Sequence, residues 1–369
     1  MKLSFVFLGL SITSSWGNGH ATTYRGLLCE LARAGHKVTF LENDLPFYAQ
    51  NRDLPTPPFC ALGLYGSLEE LRDRFTRTVR DADVVIVGSY VPNGVAVGDW
   101  VLSESHGVRA FYDIDTPVTM RDVTHGRSQY LQARQVRRYE LYLSFTGGPL
   151  LEKLERDLGS PCARPLYCGV DPELYFPEPQ ETLWDLGYLG TFSVDRQIAL
   201  ERLLVAPATA WKGGRFVVAG AQYPNGLLWP DNAQRIVHVP PREHRSFYNA
   251  QRFTLNVTRA DMLRAGYSPS VRLFEAAACG VPILTDRWTG LERFFEPERE
   301  IIVVDGTGDV LAELRSKNDE RCSHIRTRAR QRVLAEHTAA HRAEKLEEYV
   351  RPLLPARRRG QGRHTTCEV

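Results

Sequence analysis

The chain of 369 residues is longer than one ordinary hydrophobic core supports, so its length predicts two domains. Hydrophobic residues make up 43% and charged residues 24%, which is typical of a soluble globular protein, and a net charge of +2 argues against a general electrostatic affinity for nucleic acid. The seven cysteines include no C-x-x-C pair and favour a reduced, cytosolic compartment over a disulfide framework.

The apolar run over residues 3–9 has two interpretations. With Lys2 before it and small residues after it, the run resembles a secretory signal that would be cleaved after Ala21. We favour a first buried strand, because the run is short, residues 22–34 have the pattern of an amphipathic helix, and residues 36–41 have that of a second strand. No other segment approaches the roughly 20 apolar residues of a membrane span.

Strand and helix patterns alternate through the first half of the chain. Strands are predicted over 84–87, 108–112 and 141–145, with helices over 69–80, near Trp100 and from 150 to 159. Continuous apolar strands separated by helices predict a parallel sheet that is covered on both faces. We assign residues 1–170 to an N-terminal Rossmann-like domain and the proline-rich residues 171–180 to a linker.

The second half repeats this pattern, which makes the fold class α/β with two doubly wound domains. Its strands are predicted over 186–189, 215–219, 236–239, 253–257, 281–284 and 301–304. Residues 181–318 form the second predicted domain. A long basic helix is predicted over 319–354, and the residues from 355 to 369 lack apolar periodicity and are predicted to be disordered.

The segment SPSVRLFEAAACGVPILTD, over residues 268–286, is the most informative in the chain. A polar turn leads into a helix that carries Arg272 and Glu275 and stops at Gly280, and a buried strand follows. This order places a helix N-terminus, with its free N–H groups, at the mouth of a sheet, where phosphate binds. Arg272 can pair with an anion, and Glu275, one turn further on, can accept hydrogen bonds from a ribose.

This segment resembles the donor-sugar motif of GT-B glycosyltransferases, especially the glycosyltransferase family 1 group and its spore-maturation, CgeB-like relatives. The segment GVDPELYFP over residues 169–177 is similar to the crossing between domains in these enzymes. The resemblance implies two Rossmann-like domains that face each other across a cleft, with the C-terminal helix packed back on the first domain. It also implies transfer of a sugar, a hexose, from a nucleotide-diphosphate sugar, with no metal and no cofactor.

The resemblance further implies a retaining mechanism without an enzymatic nucleophile, in which the leaving phosphate takes the acceptor proton. Many retaining relatives carry two glutamates that are separated by seven intervening residues. Glu275 matches the second of these glutamates, whereas Tyr267 occupies the position of the first. Since the missing glutamate usually contacts the donor hexose, this departure leaves open a catalytically idle GT-B module that binds a nucleotide sugar. A GT-B epimerase is a further alternative.

A second donor-binding element is the turn over residues 190–193, which precedes a helix that contains Arg196. Its backbone N–H groups and Arg196 would meet a diphosphate, although an ordinary turn capped by Ser193 explains the same residues. The resemblance places a nucleobase near His238, at the end of a predicted strand. The predicted donor-binding residues are Gly190, Thr191, Phe192, Arg196, His238, Ser268, Ser270, Arg272 and Glu275.

The loop after the first strand is predicted to lie on the acceptor side. Gly17 and Gly19 would let backbone approach a ligand, and His20 would contact a phosphate or an acceptor hydroxyl, unless it simply faces water. The glycines do not complete the dinucleotide fingerprint. An NAD-binding Rossmann domain remains an alternative, with Glu42 or Asp44 as its acid.

Asp113 and Asp115 end another strand, point the same way in the prediction, and would act on an acceptor or bind a cation. Helix capping before Pro117 is the alternative. Asp115 or His125 would serve as a base if one is needed. The predicted catalytic residues are Arg272, Glu275, His20 and Asp115, and the predicted acceptor-side residues are Gly17, Gly19, His20, Asp113 and Asp115.

The predicted partners are a nucleotide-sugar donor and an acceptor that is a small molecule, a glycan or a protein, with no nucleic acid. The basic C-terminal helix allows a peripheral contact with anionic lipid at the inner membrane face, although a solvated face is the simpler reading. Its arginines are Arg321, Arg326, Arg328, Arg330 and Arg332.

Overall fold

The chain forms two compact units in a computed structural model that describes residues 1–316 and 318–355. The first unit contains residues 1–14, 24–167 and the chain from residue 342, and the second contains residues 15–23 and 168–341. Residues 15–23, which the predicted boundaries assign to the first domain, therefore belong to the second unit, and the chain from residue 342 belongs to the first. The predicted tail lies outside the described residues, apart from Pro355.

The first unit is built on seven parallel strands in the order β3-β2-β1-β4-β5-β6-β7. Its central strands are continuous apolar runs that are buried throughout, as expected for strands with helices on both faces. The strands are β1 Ser4–Gly9, β2 Lys37–Asn43, β3 Ala61–Tyr65, β4 Val84–Gly88, β5 Val108–Asp113, β6 Leu141–Ser144 and β7 Ala163–Pro165. The short edge strands β3 and β7 were not predicted.

Helices connect these strands. In α3 the Ser67 hydroxyl accepts a hydrogen bond from the Glu70 amide and so caps the helix. Leu71 and Val79 are buried, on a different face from the many charged side chains of this helix. The helices are α1 His20–Arg33, α2 Pro46–Ala49, α3 Leu68–Asp81, α4 Gly94–Glu104, α5 Thr116–Thr124, α6 Ala133–Val136 and α7 Pro149–Leu158.

The second unit is built on six parallel strands in the order β10-β9-β8-β11-β12-β13. The strands are β8 Trp184–Leu189, β9 Phe216–Ala219, β10 Ala233–Ile236, β11 Gln251–Asn256, β12 Ile283–Thr285 and β13 Ile302–Val303. The prediction of a strand over 236–239 is wrong by three residues. The more polar stretch before it pairs with β9, with Arg235 opposite Val218.

The helices of the chain's second half are less regular than predicted. A π-helical segment, Glu201–Val205, joins α8 and α9 where one helix was expected. The long C-terminal helix breaks at His337 and Thr338, whose hydroxyl lies 2.7 Å from His341 Nδ1 at the start of α15. The helices are α8 Val194–Leu200, α9 Ala206–Ala210, α10 Pro241–Asn249, α11 Ala260–Ala265, α12 Val271–Ala278, α13 Thr307–Arg315, α14 Asp319–Glu336 and α15 Ala339–Val350. Across the described ranges, no helix is long and apolar enough to cross a membrane.

Candidate functional site

Polar side chains meet at the carboxyl ends of three neighbouring strands in the second unit. β8 ends at Leu189 and enters the turn at Gly190, Asn256 is the last residue of β11, and Asp286 follows β12. Helix α12 brings Arg272 to the same edge. Because ligands of doubly wound sheets bind outside the carboxyl ends of the strands, this edge is the candidate site.

Arg272 is a buried cation without an acidic partner. Its side chain is only 6% exposed. Its Nε donates to the Leu189 carbonyl at 2.5 Å, its Nη1 donates to Asn256 Oδ1 at 2.8 Å, and its guanidinium lies 4.7 Å from the Tyr188 ring centroid. Among the described residues, no carboxylate oxygen lies within 4.0 Å of it. Buried charges are normally paired, so the charge of Arg272 is available to an anion.

Arg196 is a half-buried cation beside the predicted glycine turn. Its Nη2 donates to the Thr191 carbonyl at 2.6 Å, while its buried Nε has no hydrogen bond within the described part of the chain. The turn offers fewer free amides than predicted. The Gly190 and Phe192 amides already donate to the carbonyls of Ala219, which ends β9, and of Ala221, just beyond it. Ser193 does not cap α8, since its hydroxyl donates to Asp195 instead.

Arg235 is the third such cation, and the sequence did not identify it. Its guanidinium stacks on two rings, 4.1 Å from the centroid of Tyr223 and 4.9 Å from that of Trp229. Its N–H groups donate to the carbonyls of Val218 and Gly220. Neither Arg235 nor Arg196 has a carboxylate within 4.0 Å in residues 1–316 and 318–355. We call Arg196, Arg235 and Arg272 the arginine cluster.

All three residues of the arginine cluster affect the pKa of one shared group, the Tyr223 hydroxyl. Burial raises the pKa of Tyr223 and nearby Tyr188 adds to the rise, whereas all three arginines oppose it. The same hydroxyl donates to the Gly190 carbonyl at 3.3 Å. The positive charges therefore surround the turn that follows β8.

Two glycines let the backbone pass close to these charges. Gly220 has a φ of +147°, and a Cβ on it would lie 2.0 Å from the Gly190 carbonyl oxygen. A Cβ on Gly190 would lie 2.7 Å from Arg272 Nη2. Only glycine fits at these positions, which leaves main chain and guanidinium groups to line this part of the site.

The start of α12 is partly occupied by its own cap. The Ser270 hydroxyl accepts from the Arg272 amide at 3.3 Å and lies 3.4 Å from Arg272 Nη1. Ser268 is buried. One of the amides that the sequence assigned to phosphate is therefore already bonded, and the Arg272 side chain is the main cationic group here.

Glu275 is 3% exposed and lies in a buried cluster of tyrosines and a histidine. Its Oε2 accepts from the Tyr248 hydroxyl at 3.0 Å and is 3.8 Å from His244 Nδ1. Burial raises the pKa values of Tyr175 and Tyr248 well above the ordinary value, and the charge of Glu275 adds to the rise. In the described part of the chain, Glu275 and Arg272 form no ion pair with each other.

His238 and residues 15–23 lie in the second unit. Because β10 ends at Ile236, His238 lies in the following loop and not at a strand end, and its ring centroid is 4.3 Å from that of Trp16. Gly17 has a φ of +61° and Gly19 is exposed. His20 is half-buried as the first residue of α1. Gly17, Gly19 and His20, predicted to lie in the first domain, thus belong to the other unit.

Asp113 and Asp115 have different surroundings in the first unit. Asp113 is fully buried and accepts from the hydroxyls of Tyr142 at 2.5 Å and Thr119 at 2.8 Å. Asp115 lies beyond the strand, is half-buried, and accepts from the Tyr90 hydroxyl at 2.7 Å. Burial raises the pKa of Asp113 to about 6, against the opposing effect of its hydrogen bonds.

We expect Asp113→Asn to remove one component of the pH dependence of stability. A carboxyl with a raised folded-state pKa stabilises the fold at low pH, and this stabilisation is lost as pH rises from about 4 through about 6. The wild-type free energy of unfolding should therefore fall relative to that of Asp113→Asn across this window, by up to about 3 kcal/mol. Urea unfolding at pH 4, 5, 6 and 7 measures it, and parallel curves for the two proteins would contradict it.

Glu42 and His125 have local structural contacts. The Glu42 carboxylate is fully buried and accepts from Ser11 Oγ, from the amides of Ile12 and Thr13 and from Thr13 Oγ1 at 2.6–3.1 Å. It therefore holds the loop after β1 and leaves no oxygen for a ribose. Asp44, the other candidate acid, pairs with Arg52 at 2.6 Å. These contacts disfavour the NAD-binding alternative. His125 is exposed, with Nδ1 2.6 Å from the Arg121 carbonyl at the end of α5.

Tyr267, at the position of the first family glutamate, has a left-handed backbone with a φ of +49°. Its amide donates to the Thr289 carbonyl at 2.7 Å, and its ring lies against Gly290, where a Cβ would come within 2.4 Å of it. An aromatic ring therefore occupies the place of a carboxylate.

Clustered metal ligands are absent from the described regions, and two arginines of α14 are paired with acids. No group of three or more His, Cys, Asp or Glu side chains that could hold a metal ion occurs there. In α14, Arg321 pairs with Glu298 and Glu313, and Arg332 pairs with Glu300 and Glu336. These ion pairs of Arg321 and Arg332 favour a solvated, charge-balanced helix face.

Comparisons with known proteins agree with this architecture. Residues 196–348 match a family model described as "Glycosyl transferase-like". No curated protein sequence matches the chain.

Solved GT-B structures match almost the whole chain at low sequence identity. A sucrose-phosphate synthase from Thermosynechococcus elongatus is 15% identical with a TM-score of 0.69, covering 95% of this chain and 99% of that chain. Anabaena HepE, in complex with UDP and glucose, is 10% identical with a TM-score of 0.70, covering 95% and 100%. An alpha-glucosyltransferase in complex with UDP-glucose and DNA is 14% identical with a TM-score of 0.72, covering 95% and 100%. The fold is the two-domain α/β fold of GT-B proteins, as predicted.

Proposed function

We propose that the protein is a glycosyltransferase that transfers a sugar from a nucleotide-diphosphate sugar to an acceptor hydroxyl. The buried, uncompensated charge of Arg272 at the carboxyl edge of the second sheet carries this proposal. The family-model match of residues 196–348 and the UDP and UDP-glucose in the matched structures support it. The CgeB-like resemblance and a hexose donor remain parts of the proposal.

A diphosphate is complementary to the arginine cluster in charge. Two to three negative charges match three guanidinium groups, and the planar N–H fork of arginine binds phosphate oxygens well. The bare site is costly because positive charge is partly removed from water without compensation. A bound anion offsets that cost, so the site favours an anion over water alone.

The proposed mechanism needs little more than positioning and charge stabilisation. As the glycosidic bond between the sugar and the acceptor oxygen forms and the bond between the sugar and the donor phosphate breaks, negative charge grows on the leaving diphosphate, which the arginine cluster stabilises. In the retaining version the leaving phosphate oxygen accepts the proton of the acceptor hydroxyl, which requires no metal and no nucleophilic side chain. Asp115, half-buried in the first unit, and His20 remain proposed acceptor contacts, while the Asp113 carboxylate is too enclosed to touch substrate.

Glu275 has two proposed roles. Its bond from Tyr248 and its distance to His244 are compatible with a carboxylate that anchors the buried cluster of tyrosines and a histidine. In the second role, which the resemblance implies, the same carboxylate would accept hydrogen bonds from the ribose of the nucleotide. The variants described in the Discussion separate the two roles.

The test is donor binding followed by product analysis. We expect UDP, GDP or dTDP to raise the melting temperature of the purified chain, and the matching nucleotide sugar to be consumed when an acceptor mixture is added. No shift with any nucleoside diphosphate would contradict the proposal. A shift without transfer or hydrolysis would favour the idle binding module, and conversion of the sugar without an acceptor would favour an epimerase.

A further inference from the structure

Asn256 holds Arg272 in place without neutralising it. This residue ends β11 and is 1% exposed. Its Oδ1 accepts from Arg272 Nη1 at 2.8 Å, and its Nδ2 donates to Thr285 Oγ1 at 2.9 Å and lies 3.4 Å from Thr258 Oγ1. Both ends of the amide are therefore used, and the side chain brings no charge to the guanidinium.

A carboxylate lies further along the same network but does not reach Arg272. The Asp286 carboxylate accepts from the Thr258 amide at 2.9 Å and from its hydroxyl at 2.8 Å. Thr285 Oγ1 lies 3.1 Å from the Asp286 carbonyl and 3.4 Å from its Oδ1. Hydrogen bonds thus run from Arg272 through Asn256 and Thr285 to Asp286, with no direct ion pair between the two charged ends in the described residues.

We propose that Asn256 is the positioning residue that fixes Arg272 for a diphosphate and preserves its charge. Its carbonyl oxygen and that of Leu189 hold two of the three guanidinium nitrogens, which turns Nη2 toward the backbone of Gly190. An aspartate of the same shape at position 256 would instead form a buried ion pair and compete with the phosphate groups. The inference rests on the proposed function and adds the requirement for an uncharged anchor.

The discriminating variant is Asn256→Asp, measured beside Asn256→Ala. Isothermal titration with UDP and with inorganic pyrophosphate gives the affinities, and thermal unfolding without ligand gives the stabilities. We expect Asn256→Asp to melt at or above the wild-type temperature, yet to bind UDP at least 10-fold more weakly. Asn256→Ala should melt at a lower temperature and lose only about threefold in affinity, because Arg272 loses an anchor but gains no competing charge. A purely structural residue would give affinities that follow stability, which is the opposite order.

Asn318→Asp is the matched control. Asn318 is exposed and caps α14 through its Oδ1, and aspartate caps a helix equally well. This variant adds the same charge and should bind UDP as the wild type does. Wild-type affinity in both Asn256 variants would overturn the inference and leave the proposed function standing, whereas a wild-type chain that binds neither ligand would defeat the proposed function itself. If Asn256→Asp does not fold, wild-type affinity in Asn256→Ala overturns the inference.

Discussion

Arg272→Gln is expected to abolish the stabilisation of the protein by nucleoside diphosphates and to lower kcat/KM by about 10²- to 10³-fold. Loss of one preorganised group that stabilises transition-state charge costs about 2.7–4 kcal/mol. The unliganded protein should melt near the wild-type temperature, because the change removes a buried charge that has no acidic partner. Thermal shift with UDP and steady-state kinetics with the donor measure both effects.

Arg242→Gln is the matched control for this experiment. Arg242 is exposed and pairs only weakly with Glu243, at 3.4 Å on the surface of the same unit. It should bind donor and turn over as the wild type does. An Arg272→Gln protein with unchanged affinity for UDP would show that the buried charge serves the fold alone. Arg272→Lys should recover part of the binding but not the bidentate geometry.

Glu275→Gln is expected to fold normally and to lose the donor-induced thermal shift, with kcat/KM falling by about 10- to 100-fold. The amide oxygen can still accept from the Tyr248 hydroxyl, so the buried cluster keeps its hydrogen bond. A ribose hydroxyl would lose a charged acceptor, and hydrogen bonds to charged groups contribute about 1.5–3 kcal/mol. Melting temperature without ligand and titration with UDP are the two readouts.

Tyr248→Phe separates the two roles of Glu275. It keeps the carboxylate and removes the hydroxyl that bonds to it, so it tests the structural contact alone. We expect a lower melting temperature with donor binding retained. If Glu275→Gln instead melts as poorly as Tyr248→Phe and still responds to UDP, the carboxylate is an anchor of the cluster and no ribose ligand.

The sequence predicted the α/β class, most strands of both sheets and Arg272, because these follow from local apolar runs and from one distinctive segment. It misplaced β10, since the apolar residues 236–239 resemble a buried strand more closely than the Gln234 and Arg235 that pair with β9. Strand pairing is a tertiary choice that local pattern does not encode.

The site was predicted in part for the same reason. Asn256 lies inside a predicted strand as a polar residue in an apolar run, which is a usable signal for a buried polar contact. The role of Arg235 depends on stacking with Tyr223 and Trp229, residues from a separate loop, and no spacing in the sequence predicts this contact. The sequence suggested Glu42 as a ribose acid from its place near the end of a strand, and only the fold shows that it bonds to the loop after β1.

The uncompensated arginine cluster also bears on how the protein should be handled. Sulfate and inorganic phosphate are tetrahedral anions of the kind that guanidinium groups bind. In a storage or assay buffer they would compete with the donor for the arginine cluster and weaken the apparent donor affinity. Chloride and a zwitterionic buffer avoid this competition. Comparisons of substrates for this chain are therefore meaningful only when the anion composition of the solution is held constant.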